Sequence, residues 1–273
     1  MSGQTDQLNA IVAQRIEVSP GLIVLRAVPD GWVLPDFESG QFAVLGLTGT
    51  APRHEVSDPE EDRANPGKII KRAYSIASSS VANEYIEFYI VLVRSGSLTP
   101  RLFALSVGDR LWLSPKVSGL FTLDEVPADQ HILLISTGTG LAPYMSMLRS
   151  HLVCGEPRRF AVIHGARHSW DLGYRSELMT LDRMCPNFTY ITAISRPEEE
   201  PVPWAGETGY IQDVWQRGVL EKNSKFRASP EDTHVFLCGN PSMIVTMANL
   251  LNELGFKEDR RSDPGTVHVE RYW

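Results

Sequence analysis

The chain has 273 residues, enough for two compact cores, and its 42% hydrophobic and 22% charged residues are the balance of a globular protein. A formal charge of −7 without a basic stripe argues against a nucleic-acid binder, while leaving room for an acidic protein partner that docks on a local basic patch. No apolar run approaches the roughly 20 residues that span a bilayer, and residues 1–10 lack the basic start and apolar centre of a secretory signal, so a cytoplasmic protein is expected.

To about residue 125 the chain reads as short strands broken by turns. Segments 22–28, 41–47, 85–93 and 110–114 are rich in Val, Ile, Tyr and Phe, and Gly40, Gly46, Gly96 and Gly108 punctuate them. That rhythm predicts an antiparallel barrel or sandwich. Residues 99–105 predict a short helix with Thr99 as N-cap and Pro100 in the first helical position. The polar stretch 50–68, with Pro52, Pro59, Pro66 and an acidic run at 58–62, reads as a mobile loop whose charge is solvated surface. After residue 130, apolar runs at 131–136, 160–164, 189–194 and 234–237 alternate with helical patterns at 141–152, 171–184, 211–215 and 241–254. Alternating buried strands and helices predict an α/β, doubly wound parallel sheet with ligands at the carboxyl ends of its strands. The change of rhythm falls within 124–130, near Pro127, and divides the chain into residues 1–126 and 127–273.

Four motifs carry chemistry. Arg72-Ala73-Tyr74-Ser75 offers a guanidinium fork for pyrophosphate, a flat ring for an aromatic ligand and a hydroxyl for a ring nitrogen; by itself it is ordinary strand sequence. Ser136-Thr137-Gly138-Thr139-Gly140-Leu141-Ala142-Pro143 follows a buried strand and opens a helix, so its glycines let phosphate approach backbone amides, although Pro143 stands where a third glycine would complete the dinucleotide fingerprint. His164-Gly165-Ala166-Arg167 and Ile194-Ser195-Arg196 end two strands with arginines instead of a carboxylate, which favours the extra phosphate of NADPH over the bare ribose of NADH. Cys238-Gly239-Asn240-Pro241-Ser242-Met243 repeats the strand, glycine turn and helix pattern; a buried cysteine is by itself a small core hydrophobe. Cys154, Cys185 and Cys238 are odd in number and widely spaced, which suggests neither a zinc site nor a four-cysteine cluster, so no metal is expected and electron transfer would need an organic cofactor.

Together with Tyr89-Ile90-Val91, the Gly96-Ser97-Leu98-Thr99 turn and the ending His268-Val269-Glu270-Arg271-Tyr272-Trp273, these motifs resemble the bacterial-type ferredoxin/flavodoxin–NADP+ reductases along nearly the whole chain. Residues 50–68 are the main stretch outside the resemblance. It implies an antiparallel Greek-key β-barrel that binds FAD, followed by an α/β domain that binds NADP(H). In the barrel it places Arg72 on the FAD pyrophosphate, Tyr74 against the isoalloxazine and Ser75 near the ring nitrogen that takes the hydride. Ala73, Tyr89, Ile90 and Val91 line the cofactor, and Ser97, Leu98 and Thr99 back its phosphates. In the second domain Thr137, Gly138, Gly239 and Met243 meet the pyridine nucleotide, and Thr139 also touches the flavin. His164, Gly165, Ala166, Arg167, Ser195 and Arg196 receive its phosphate-bearing end. Tyr210 stands where bacterial relatives commonly carry arginine, and it matches the plant-type tyrosine that stacks on adenine. Cys238 borders the reacting nicotinamide carbon, Glu270 assists proton movement, Tyr272 covers the flavin and Trp273 lies by its adenine. Ser75, Cys238 and Glu270 are thus the implied catalytic set. The implied activity is reversible hydride transfer from NADPH to FAD and then single electrons to ferredoxin or flavodoxin, by a monomer. The alternatives are a free-flavin or oxygenase-partner reductase on the same scaffold, and a non-enzymatic FAD redox sensor. Arg94, Arg101, Lys116, Arg149, Arg158 and Arg159 are the candidate docking face for the carrier.

Overall fold

In the computed structural model, which describes residues 8–60, 65, 67–223 and 227–271, period-two burial in the first part of the chain builds a barrel. Its strands are β1 (Ala10–Ser19), β2 (Leu22–Pro29), β3 (Phe42–Thr48), β4 (Ile69–Ser75) and β5 (Ile86–Val91), then, after the short helix α1 (Thr99–Phe103), β6 (Arg110–Ser118). They pair antiparallel in the order β4-β3-β6-β1-β2-β5. The two ends of that sheet meet through a bridge between Ile76 and Phe88, and the Ala77 N–H donates to the Glu87 carbonyl at 2.8 Å, which closes the wall. Inward positions such as Leu111 and Leu113 are fully buried and join Val12, Ile23, Leu25, Leu45, Leu47 and Phe88 in one core. The cap of α1 is Leu98, with no side-chain hydrogen bond, in place of the expected Thr99. The Thr99 hydroxyl instead receives the Val93 N–H and donates to the Val93 carbonyl, at 3.1 and 3.2 Å, so it staples the turn before the helix.

From residue 131 the chain alternates strand and helix: β7 (His131–Thr137), α2 (Ala142–His151), β8 (Phe160–Ala166), α3 (Arg175–Met184), β9 (Phe188–Ile194), β10 (Glu207–Thr208), α4 (Ile211–Gln216), α5 (Val219–Asn223), β11 (Thr233–Cys238), α6 (Pro241–Glu253) and β12 (Val267–Glu270). All six strands run parallel in the order β10-β9-β8-β7-β11-β12. Chain order reverses between β7 and β11, the switch point at which such sheets open a crevice beyond their carboxyl ends. Among the described residues, no helix is long and apolar enough to cross a membrane.

By contact the chain forms two units, residues 1–122 with 142–150 and residues 123–141 with 151–273. Helix α2 therefore belongs with the barrel, although it follows β7 directly. Arg149 on α2 donates to the Glu87 carboxylate at 2.7 Å and to the Ala77 carbonyl at 2.8 Å, while Arg26 takes the other Glu87 oxygen at 2.6 Å. Glu87 is fully buried, so this triad neutralises a charge that could not otherwise stand inside the barrel unit. In the sheet unit Cys154 and Cys185, whose Cα atoms are 4.6 Å apart, form a disulfide across 31 residues. Nothing in their spacing points to the bond; the fold brings the turn after α2, which holds Cys154, against Cys185 at the end of α3.

Candidate active site

In the sheet unit, the glycine turns after β7 and β11 lock together at the switch point. A side chain at Gly140 would collide with the Cys238 carbonyl, and one at Gly239, whose φ is 136°, would collide with Thr137. The Thr137 hydroxyl accepts the Asn240 N–H at 2.7 Å, and the Asn240 side chain caps α6 by accepting the N–H groups of Ser242 and Met243. Gly138, at φ 55°, has open space where a Cβ would stand, the room a phosphate needs to reach the backbone. Register then sets one row across the strand ends: Glu270, Cys238, Ser136, His164 and Thr192 are successive partners on β12, β11, β7, β8 and β9. Cys238 and Glu270, 32 positions apart in the chain, thus stand on neighbouring strands, with the Cys238 side chain fully buried. His164 is fully buried, with Nδ1 3.1 Å from the Tyr190 hydroxyl, and burial pushes its pKa down to about 4, so a neutral imidazole sits behind the turn.

The ends of β8 and β9 are joined by backbone hydrogen bonds from Ser195 to Ala166 and from Arg196 to Arg167, both 3.0 Å. This brings Arg167, Ser195 and Arg196 to one rim, and the Gly209 N–H, donating to the Ile194 carbonyl at 2.9 Å, brings Tyr210 to the same rim. Tyr210 is 64% exposed at the start of α4, a flat ring presented to solvent. Arg196 shares this rim with carboxylates: it pairs with Glu199 at 3.3 Å, and Glu199 accepts from His168 at 2.7 Å. Met243 is buried in the hydrophobic core of the sheet unit.

In the barrel unit, Arg72, Ala73, Tyr74 and Ser75 occupy β4. Arg72 and Ala73 are exposed, Tyr74 is half-buried and Ser75 is buried. The Arg72 guanidinium donates to the Lys71 carbonyl at 2.8 Å, and its exposed fork suits a phosphate. The Tyr74 ring packs edge-on against Phe88 of β5, centroids 6.4 Å apart, and burial pushes its phenol up, so it remains a neutral aromatic face. Barrel closure brings Tyr89, Ile90 and Val91 onto the strand that meets the end of β4. Ile90 is committed to the core, Tyr89 is buried, and Val91 is exposed at the strand end. Ser97 and Leu98 form the turn into α1, and Thr99 begins the helix.

Some expectations change. Arg101 is 2% exposed and Arg149 is engaged with buried Glu87, so neither contributes to an open docking face; Arg158 donates to the Gln130 carbonyl at 2.9 Å. The charge at 50–60 is only partly solvated surface: Glu55 is exposed, but Glu60 and Arg53 are built into the barrel unit's hydrogen bonds; residues 61–64 and 66 lie outside the described residues. Tyr272 and Trp273 also lie outside them. Among the described residues no cluster of His, Cys, Asp or Glu could hold a metal ion.

The family model described as "Oxidoreductase NAD-binding domain" matches residues 134–249, from within β7 to within α6. The flavodoxin/ferredoxin–NADP reductase of Escherichia coli is 34% identical over 88% of this chain and 89% of its own length, and the ferredoxin–NADP reductase of Azotobacter vinelandii 30% over 86% of each. A crystal structure of a ferredoxin NADP+ reductase from Neisseria gonorrhoeae with bound FAD and NADP superposes with a TM-score of 0.79 over 98% of this chain and 99% of that one, at 22% identity. The chain belongs to the flavodoxin/ferredoxin–NADP reductase family.

Proposed function

We propose that this chain carries hydride from NADPH to a bound FAD and passes the electrons one at a time to ferredoxin or flavodoxin, reversibly. The observation that carries the reading is the strand-end row, in which Cys238 and Glu270 stand side by side next to the interlocked glycine turns. Bound FAD supplies the conversion between paired and single electrons, because its ring is stable at three oxidation levels. The protein's part is placement. Within residues 1–126, the Arg72 fork holds the FAD pyrophosphate, Tyr74 lays its face on the ring and Ser75 hydrogen-bonds near the nitrogen that takes the hydride. Within residues 127–273, the turns at 137–140 and 238–240 admit the NADPH phosphates, Arg167, Ser195 and Arg196 take its 2′-phosphate, and Tyr210 stacks on the adenine. Cys238 orients the nicotinamide carbon, which needs no covalent thiol step, and the Glu270 carboxylate moves a proton at the same place. A monomer in the cytoplasm, where NADPH is supplied, completes the reading.

Adding NADPH to the yellow, FAD-loaded protein without oxygen is expected to bleach the flavin absorbance within seconds, and cytochrome c reduction is expected to require added ferredoxin or flavodoxin. A flavin that stays oxidised would make the chain a sensor. Full activity with free flavin in place of either carrier would make it a free-flavin reductase.

A further inference from the structure

Two guanidinium groups converge on the polar stretch before β4, to which the family motifs assign no role. Arg101 on α1, 2% exposed, donates to both Glu60 oxygens at 2.8 and 2.9 Å, to the Ser97 carbonyl at 2.6 Å and to the Gly49 carbonyl at 2.7 Å. Arg53, largely buried, reaches Glu60 at 3.1 Å and the carbonyls of Gly96, Asp58 and Arg94 at 3.0, 2.9 and 3.2 Å. Backbone bonds from His54 to Pro100 and from Asp58 to Arg94, at 2.9 and 3.1 Å, lay this strap along the turn. A buried guanidinium is costly unless an anion meets it, and Glu60 is the carboxylate that meets both. The Arg101 hydrogen bond holds the Glu60 carboxyl below its ordinary range, so the cluster is ionised at neutral pH.

Those contacts join the two pieces of backbone on which a pyrophosphate would rest. Gly49 follows directly on β3, whose antiparallel partner β4 carries Arg72, and Ser97 lies in the turn before α1. The Thr99 hydroxyl is already committed to Val93. The turn that Arg53 and Arg101 hold, through the Gly96 and Ser97 carbonyls, leads into α1 at Leu98.

We propose that Glu60 is a positioning residue for FAD: through Arg101 and Arg53 it fixes the 96–99 turn against the β3–β4 pair, so that the turn and Arg72 grip the pyrophosphate together. This rests on the reading of the chain as an FAD enzyme, and it makes the strap at 49–60 part of the cofactor site.

The test is equilibrium binding of FAD, FMN and riboflavin to the apoprotein of the full chain, followed by flavin fluorescence. Glu60→Gln is expected to weaken FAD and FMN by roughly ten- to hundredfold, the scale of a lost charge-assisted bond, while riboflavin, which has no phosphate, binds as in the wild type. Riboflavin weakened in step with FAD would overturn the proposal in favour of a purely structural role, as would unchanged FAD affinity. If Glu60→Gln does not fold, Arg53→Gln, which spares the Arg101–Glu60 pair, is expected to give a smaller loss of the same phosphate-dependent kind, and no loss there would equally overturn it. A wild type that binds riboflavin as well as FAD, or an Arg72→Ala variant of undiminished FAD affinity, would show that the pyrophosphate lies elsewhere. That result overturns the placing of the pyrophosphate at Arg72 and the 96–99 turn, and the proposal with it.

Discussion

At the scale of single residues, the site depends on atoms that leave no room for change. The backbone of Gly140 runs against the Cys238 carbonyl, so the turn that admits phosphate and the turn that carries the thiol hold one another in place. Cys238→Ser keeps that backbone and alters only the group at the row's centre. It is expected to lower the rate of flavin reduction by NADPH about ten- to hundredfold, the cost of a misplaced reactant, while the flavin spectrum and FAD affinity stay as in the wild type. Stopped-flow reduction checks this, and an unchanged rate would remove Cys238 from the site. The types of these residues were legible in the sequence only in company, since each motif alone is ordinary strand or turn sequence and it is their order along the chain that resembles the family. Their adjacency was not. Cys238 and Glu270 meet through the register of β11 with β12, and no pattern within either segment specifies which residue of one faces which of the other.

Among the elements, the parallel sheet was the easier to read, because its central strands are near-continuous apolar runs. In the barrel, β1 escapes the eye: Gln14, Arg15 and Glu17 interrupt its alternation, and its pairing with β2 slips between Val12 and Gln14. The strap at 49–60 read as solvent-exposed because its partner, Arg101, lies 41 positions beyond Glu60 and is itself a residue type seldom buried. The sheet also sets an acid limit. His164 and His268 both have pKa values pushed by burial to about 4, against 6.5 for the unfolded chain, with His234 adding to the effect at His268. Between those values the unfolded chain takes up protons that the folded one refuses, so stability is full above about pH 6.5 and is lost as pH falls towards 4. For fully buried His164 the loss is of the order of 3 kcal/mol. Denaturant titrations at pH 7.5 and 4.5 are expected to reveal it, with His164→Gln recovering part of the difference; equal midpoints would contradict it.

For the whole molecule, the division of the chain is not a single cut. Three covalent crossings, at 122/123, 141/142 and 150/151, connect the two units, because α2 is threaded out of the sheet's sequence and into the barrel's packing. A fragment of residues 1–126 would lose α2 and with it Arg149; Arg26 would still hold one oxygen of buried Glu87, so the cost is that of the lost charge-assisted hydrogen bond, about 1.5–3 kcal/mol, together with the lost packing of α2. Such a fragment is expected to melt well below the intact protein, and Arg149→Met in the full chain is expected to reproduce much of that loss. A fragment as stable as the whole would contradict the account. The boundary visible in the sequence, a change of rhythm near Pro127, marks where strand pairing changes; it cannot register a helix that leaves its own run of sequence to finish another's core. Exchange of halves between two such genes is constrained accordingly. A crossover at the obvious linker would marry one parent's barrel to the other's helix, and unless glutamate and arginine happened to agree, the hybrid's inner carboxylate would keep one guanidinium and forfeit the other.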